Sequence, residues 1–299
     1  MEIFFAGSQS PESNVYMLTH NYNRLMSYAN DRSAITKWFD MAQKLNWSGK
    51  FFLDSGAYSA LTQGVTIDIY KYIDFVNSIT DKLYCYANLD VIPKEGSTKT
   101  IEECCNEGFD NFMTIINNCK QPEKCCGVYH QGEPIEVLYK YINYYKEHPE
   151  MRYFGLGGIV GANRDFVFYF CEKMSRIIRK ELPNVKIHLL GYTKIGKLRH
   201  IDCDTVDSTT WIMTGANGNI MTPYGTVMVS DRRKNDPDSI YNLPKDAFEI
   251  TKKYIEDRGF TLEGLSTDYK QRSLMNIQYL AEAVQEIKYK PIMVKRSLI

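Results

Sequence analysis

From Glu2 to Asp207 the chain alternates between short β-rich runs and longer stretches with helical spacing, and this alternation restricts the fold more than any other feature. The spacing predicts strands at Glu2–Ala6, Phe51–Asp54, Tyr84–Asp90, Phe112–Ile116, Gly127–His130, Tyr153–Leu156, Lys186–Leu190 and Asp204–Asp207. Between them, helices are predicted over Thr66–Ile79 (Ile67, Tyr70, Ile73, Phe75 and Val76 on one face), Ile135–Tyr145 and Arg164–Leu182. Eight strands, each followed by a crossover, predict an α/β fold of the (β/α)8 TIM-barrel type, with an open doubly wound sheet as the alternative. After Asp207 the pattern changes. Asn217-Gly218 between β-capable stretches predicts a hairpin insertion over 211–231, and two C-terminal helices follow within 244–287. No Pro- or Ser-rich linker interrupts the 299 residues, so a single catalytic domain over 1–299 is expected.

Composition narrows the class. Hydrophobic residues at 44% against 24% charged exclude a disordered chain. Thirty-six basic and 36 acidic residues cancel, which argues against bulk-charge binding to nucleic acid while leaving room for a local basic groove. No apolar run is long enough to span a bilayer, and Met1-Glu2-Ile3-Phe4-Phe5 carries an acid where a signal peptide needs bases. The eight cysteines, two pairs of them adjacent, form no regular framework. Free thiols in the cytoplasm, without membrane attachment, are expected.

In a barrel the chemistry gathers at the C-terminal ends of the strands. Those ends carry Asp54 in Asp54-Ser55-Gly56-Ala57-Tyr58, Asp90 in Asn88-Leu89-Asp90, Gln131 in Val128-Tyr129-His130-Gln131-Gly132, the glycines of Gly155-Leu156-Gly157-Gly158-Ile159-Val160-Gly161, and Asp207 in Val206-Asp207-Ser208. Any one aspartate alone is more simply a helix cap or turn former. Five such groups at equivalent places, three of them carboxylates that would repel one another without a ligand between them, make a site candidate.

The ordered series Asp-Ser-Gly-x-Tyr, Asp before Pro93, Val-x-x-Gln-Gly, Gly-Leu-Gly-Gly-Ile-Val-Gly, His188-Leu189-Leu190-Gly191 and Val206-Asp207-Ser208-Thr209 resembles the tRNA-guanine transglycosylase superfamily over about residues 50 to 210. The resemblance implies a (β/α)8 pentosyltransferase that exchanges guanine in a polynucleotide for a 7-deazaguanine. It implies Asp207 as the nucleophile that forms a covalent glycosyl-enzyme, and Asp54 as the general acid/base. Tyr58 would stack on the base. Asp90, Gln131, Ser55, Gly157 and the backbone at Gly158 and Ile159 would bind it.

Departures from the family pattern refine the expectation. No cysteine follows Cys203 and no histidine follows His200, so the family's zinc site is absent and neither metal nor other cofactor is expected. Thr210-Trp211-Ile212-Met213 replaces a Pro-Thr-Arg run, Ser59 stands where a glutamine is usual, and Ala162-Asn163 replaces a glutamate. The pocket matches better than the polymer-facing residues. That pattern is closer to the zinc-less branch, found in phages among others, that inserts 7-deazaguanines into DNA, with tRNA as the second substrate reading. The free base would be a 7-deazaguanine such as a cyano- or aminomethyl-substituted form, and a homodimer is compatible. Lys194, Lys197, Arg199 and His200, or Arg232, Arg233 and Lys234, would contact phosphates. A nucleoside or base hydrolase, or a non-catalytic binding subunit on the same barrel, completes the alternatives. Retention of both Asp54 and Asp207 weighs against the last.

Overall fold

The computed structural model describes residues 1–7, 10–92, 99–158 and 164–292. Eight parallel strands, β1 (Glu2–Phe5), β2 (Asn23–Ser27), β3 (Phe51–Asp54), β4 (Cys85–Ala87), β5 (Cys125–His130), β6 (Tyr153–Gly157), β7 (Lys186–Leu189) and β8 (Thr205–Ser208), pair in sequence order and close β8 on β1. The fold is a (β/α)8 barrel followed by a hairpin and C-terminal helices. Around the strands lie α1 (Pro11–Thr19), α2 (Tyr28–Lys44), α3 (Ala57–Gln63), α4 (Ile69–Ile79), α5 (Ile101–Asn118), α6 (Ile135–Glu147), α7 (Arg164–Glu181) and α8 (Ile195–Leu198). After β8 come α9 (Thr210–Ala216), the antiparallel pair β9 (Asn219–Thr222) and β10 (Gly225–Met228), and then α10 (Lys245–Glu256), α11 (Leu262–Thr267) and α12 (Tyr269–Gln285).

Local sequence accounts for many element starts. Asp68 caps α4 by accepting from the Tyr70 and Lys71 N–H groups, and Thr100 with Glu103 forms a reciprocal capping box on α5. The eight barrel strands are buried on both faces over most of their length, as a barrel with an outer helical ring requires. Phe4, Leu25, Phe52, Cys85, Ala87, Cys126 and Tyr153 fill the barrel interior. Their neighbours in sequence, among them Phe5, Met26, Leu53, Tyr86, Cys125 and Phe154, pack outward in the larger core with the helices. This two-residue alternation decides which strand-end side chains face the mouth.

Three expectations are corrected. Phe112–Ile116 is not a strand but the end of α5, where Phe109, Phe112, Ile115 and Ile116 are buried at helical spacing. The missing strand is β2, whose Asn-Arg-Leu-Met-Ser sequence lacks β-branched residues and carries a charge. Arg24 in it is fully buried, donating to the carbonyls of Phe5 (2.5 Å) and Gly7 (2.7 Å), with its guanidinium 5.4 Å from the Trp38 ring centre. The third correction concerns Asn217-Gly218, which ends α9 rather than turning the hairpin. Gly218 takes φ +86° there, and the hairpin turns at Pro223-Tyr224 between paired Thr222 and Gly225. A left-handed glycine serves helix ends and hairpin turns alike, so the dipeptide does not distinguish them. In α4 the inward aromatic is Tyr72, while Tyr70 is exposed.

The two expected C-terminal helices are α10 and α12, and a third, the short α11, stands between them. α12 packs on β1, α1 and α9, and the buried Asn276 ties the hairpin to the barrel by accepting from Met221 N–H (2.7 Å) and donating to Trp211 O (3.2 Å). All described cysteines are free thiols, and among the described residues no helix is long and apolar enough to cross a membrane. Trp211 is 1% exposed, and its indole N–H donates to Ala6 O at 2.8 Å, joining the segment after β8 to the end of β1. Replacing Trp211 by Ala removes a large buried ring and orphans that carbonyl, so a loss of about 3–5 kcal/mol in urea unfolding is expected. An unchanged midpoint would show that this seam does not support the barrel.

Candidate active site

A cavity of about 840 Å³ opens at the C-terminal ends of the strands, within the range of small-molecule sites. Asp54 from β3, Asp90 after β4, His130 from β5, Gly157 and Gly158 at β6, Gly191 after β7 and Asp207 from β8 all line it. Ser55 and Tyr58 contribute from the segment after β3, Tyr58 with 54% of its surface exposed at the start of α3. The structure thus brings together Asp54, Ser55, Tyr58, Asp90, Gly157, Gly158 and Asp207. Ile159 lies outside the described residues.

Asp207 is held through one oxygen. Its Oδ1 accepts from the Gly191 N–H at 2.8 Å and lies 3.1 Å from His188 Nε2. The other ring nitrogen of His188 is 2.8 Å from Thr205 Oγ1, and the ring sits edge-on to Phe52 with centroids 4.6 Å apart. His188 and Thr205 are register partners on β7 and β8, and each points inward like Asp207 two residues beyond Thr205. The His188-Leu-Leu-Gly191 run therefore orients Asp207 with one side chain and one backbone donor.

Asp54 has the opposite environment. Burial, reinforced by the charges of Asp207 and Asp90, pushes its carboxyl up to about 7, against the pull of the Gly56 and Ser55 backbone N–H groups. The Gly56 N–H reaches Asp54 Oδ2 at 3.0 Å. Gly56 has φ +81°, and a Cβ there would stand 2.2 Å from Ser27 Oγ, so glycine is required for this loop to close on the start of α2. One carboxylate held by donors beside another whose proton is retained to neutral pH is an arrangement suited to paired nucleophile and acid/base roles.

Asp90 is held between two partners. Asn88 Nδ2 lies 3.3 Å from its Oδ1, and His130 Nε2 lies 3.0 Å from its Oδ2. Burial alone would push the His130 imidazole down; the Asp90 carboxylate beside it, with Glu133 and Asp54 farther out, outweighs that and holds it up at about 9. Gln131 is not on the cavity wall. Its backbone N–H bonds to Gly157 O at 3.1 Å, and its Oε1 is buried without a partner among the described residues.

The basic residues are distributed differently. Lys197 pairs with Asp165 at 2.6 Å and lies 4.9 Å over the Phe168 ring, while Arg233 pairs with Asp236 at 2.5 Å. Lys194 and Arg199 flank the short helix α8 after β7, and Arg232 stands beside Arg233 beyond the hairpin; none of the five lines the cavity. Ser27, Asn30 and Asp31 do line it, and sequence reasoning missed them because β2 was not recognised. His130 was overlooked beside Gln131, although counting alternate residues from Cys126 along β5 points it inward. Among the described residues no group of three or more His, Cys, Asp or Glu side chains is placed to hold a metal ion.

The chain matches no protein-family model, and no curated protein matches it closely enough to count as a relative. The fold is compatible with a barrel enzyme, and the chemistry must be argued from the site itself.

The raised Asp54 group has a consequence for stability. The folded state keeps a proton that the unfolded chain releases near pH 4, so this residue's contribution is lost as pH rises from about 4 through about 7. Asp54→Asn retains an acceptor for the Gly56 N–H without the buried charge. It is expected to be more stable than the parent at pH 8 by about 1–4 kcal/mol, with the difference vanishing near pH 4, as read from urea midpoints. Equal midpoints at pH 8 would show that Asp54 ionises there without strain.

Proposed function

We propose that the protein is a base-exchange transglycosylase, a pentosyltransferase that removes guanine from a polynucleotide, DNA in first place, and installs a 7-deazaguanine. The observation that carries this reading is the pair of unlike carboxylates, Asp54 and Asp207, projecting into one cavity from β3 and β8.

In this mechanism Asp207, aligned by His188 and Gly191, attacks C1′ of the sugar (deoxyribosyl in DNA, ribosyl in tRNA) as the glycosidic bond to guanine breaks through an oxocarbenium-like state. The protonated Asp54 gives its proton to the departing base. The incoming 7-deazaguanine then returns a proton to the Asp54 carboxylate and attacks C1′, and the bond to Asp207 breaks. Two inversions retain the configuration. A carboxyl that titrates near 7 can serve as acid in the first step and base in the second at neutral pH. Tyr58 at the rim offers a stacking face worth roughly 1–3 kcal/mol, and the target nucleotide must leave its own stack to reach it.

The polymer surface supports a rebuilt contact. Trp211, where the resembling family places residues that face nucleic acid, is buried against Ala6 O and is unavailable to a substrate. Phosphate contacts from Lys197 or Arg233 would have to displace Asp165 or Asp236. Lys194, Arg199 and Arg232 are the other cationic candidates. DNA is favoured over tRNA on the resemblance to the zinc-less branch.

The test is incorporation of radiolabelled guanine into matched duplex DNA, single-stranded DNA and bulk tRNA. Label is expected in DNA with the parent protein, and an Asp207→Asn variant is expected to lose at least about 10³-fold, in line with removal of other enzymic nucleophiles. Label in tRNA alone would keep the chemistry and replace the polymer. Exchange that persists in Asp207→Asn, or no label in any polymer, would overturn the reading.

A further inference from the structure

A nucleophilic carboxylate offers only acceptors, so both groups that hold Asp207 Oδ1, the Gly191 N–H and His188 Nε2, must be donors. A backbone N–H always carries its proton. An imidazole can carry its proton on either nitrogen, and the hydrogen bond made by one nitrogen decides the state of the other. The group facing His188 Nδ1 is the Thr205 hydroxyl, at 2.8 Å and one inward position deeper on β8 than Asp207.

We propose that Thr205 is a positioning residue for the nucleophile: its hydroxyl donates to His188 Nδ1, keeps the ring proton on Nε2, and so ties down Asp207 Oδ1 and leaves Oδ2 as the oxygen presented to C1′. The inference rests on the base-exchange reading and deepens it.

Three observations carry it. First, the two oxygens of Asp207 are unlike. Oδ1 accepts both hydrogen bonds, whereas Oδ2 accepts none among the described residues. Nor is Oδ2 sealed in, the side chain keeping 10% of its surface on the cavity wall. Oδ2 is therefore the oxygen free to bond C1′, while the electron pair of the breaking glycosidic bond leaves with the base that takes the Asp54 proton. Second, strand pairing lays out the three groups. Thr205 and Asp207 both point inward from β8, and His188 is the register partner of Thr205 on β7, so one imidazole reaches both with a nitrogen for each. Third, Thr205 is the only described residue that bonds Nδ1. His188 is 2% exposed and Thr205 4%, and the ring is boxed edge-on by Phe4 and Phe52, with centroids 6.0 and 4.6 Å away. Bulk water has no place there to stand in for the hydroxyl. A proton on Nδ1 instead would aim the Nε2 lone pair at the carboxylate.

Thr205→Val removes the hydroxyl and keeps the branched shape, and Thr205→Ser keeps the hydroxyl. Nitrogen-15 NMR of labelled histidine, with His188 assigned by its disappearance in His188→Phe, reports which ring nitrogen is protonated and needs no substrate. The parent and Thr205→Ser are expected to show a protonated Nε2 and a hydrogen-bonded, unprotonated Nδ1. In Thr205→Val the Nδ1 signal should move to that of an unbonded nitrogen. A protonated Nδ1 in the parent, or an unchanged Nδ1 signal in Thr205→Val, overturns the assignment. In guanine exchange, Thr205→Val is expected to lower kcat about 10- to 100-fold with KM for guanine within about twofold, and Thr205→Ser to stay within about threefold of the parent. A parent-like kcat in Thr205→Val, or a serine variant as impaired as the valine one, overturns the positioning role while leaving base exchange standing. If the parent exchanges no guanine, the base-exchange reading falls and the role in presenting Oδ2 falls with it; the nitrogen-15 spectra tell the two failures apart.

Discussion

The parallel pairing of β1 with β8 closes the barrel, and the same pairing sets the phase of every side chain at its mouth. Phe4 lies beside Asp207 in that register, and Glu2 beside Thr205. Because strand residues alternate between the two faces, a closed register leaves no freedom: Thr205 and Asp207 point in and Val206 points out. The same rule carries Phe52 and Asp54 inward on β3, His188 on β7 and His130 on β5. Slipping any one strand by a residue would move its polar group from the cavity into the apolar layer under the helices. The site is therefore a consequence of closure, and what protects closure protects the site. The Trp211 bond to Ala6 O and the packing of α12 on β1 both act at this seam.

Polar groups are buried here in two contrasting ways. Arg24, fully enclosed between β2 and α2, donates to carbonyls at the end of β1 and lies against the face of Trp38; burial, opposed by the Asp31 charge, lowers it only to about 10, so it keeps its charge at neutral pH. For Asp54 the same penalty reaches neutral pH. Two backbone donors oppose burial and two neighbouring carboxylates, and burial prevails. A carboxyl left in this condition lowers stability at neutral pH, which fits a group retained for proton transfer rather than for folding. Asp207, with His188 and the Gly191 N–H on one oxygen, is oriented instead of strained. The difference between the two environments is what makes the pair chemically useful.

Much of the architecture was legible in the chain. Seven of the eight barrel strands stand out as apolar or β-rich runs, since a parallel barrel strand is buried on both faces and must be apolar nearly throughout. β2 escaped because its Arg24 reads as a surface residue until the carbonyls of Phe5 and Gly7 are in view. Phe112–Ile116 filled its place in the count because five apolar and β-branched residues in a row look alike in a strand and in the last turns of a helix. Only the longer spacing from Cys104 to Ile116 separates the two. Asn217-Gly218 misled for a related reason, a positive φ being needed both at the end of α9 and at a tight hairpin.

The sequence by itself determined the barrel class, the C-terminal helices and the presence of Asp54, Tyr58, Asp90, the Gly157-Gly158 pair and Asp207 at strand ends, because periodicity and strand-end position are local properties. Which of those groups share a wall, and in what electrostatic state, only the tertiary structure decided. The charge felt by Asp54 comes from residues 36 and 153 positions away, at Asp90 and Asp207. The exchange of Gln131 for His130 at the cavity depends on strand phase. Ser27, Asn30 and Asp31 entered the wall only once β2 was in place. Burial and through-space charge are set by contacts between distant segments, and no local pattern in the chain encodes them.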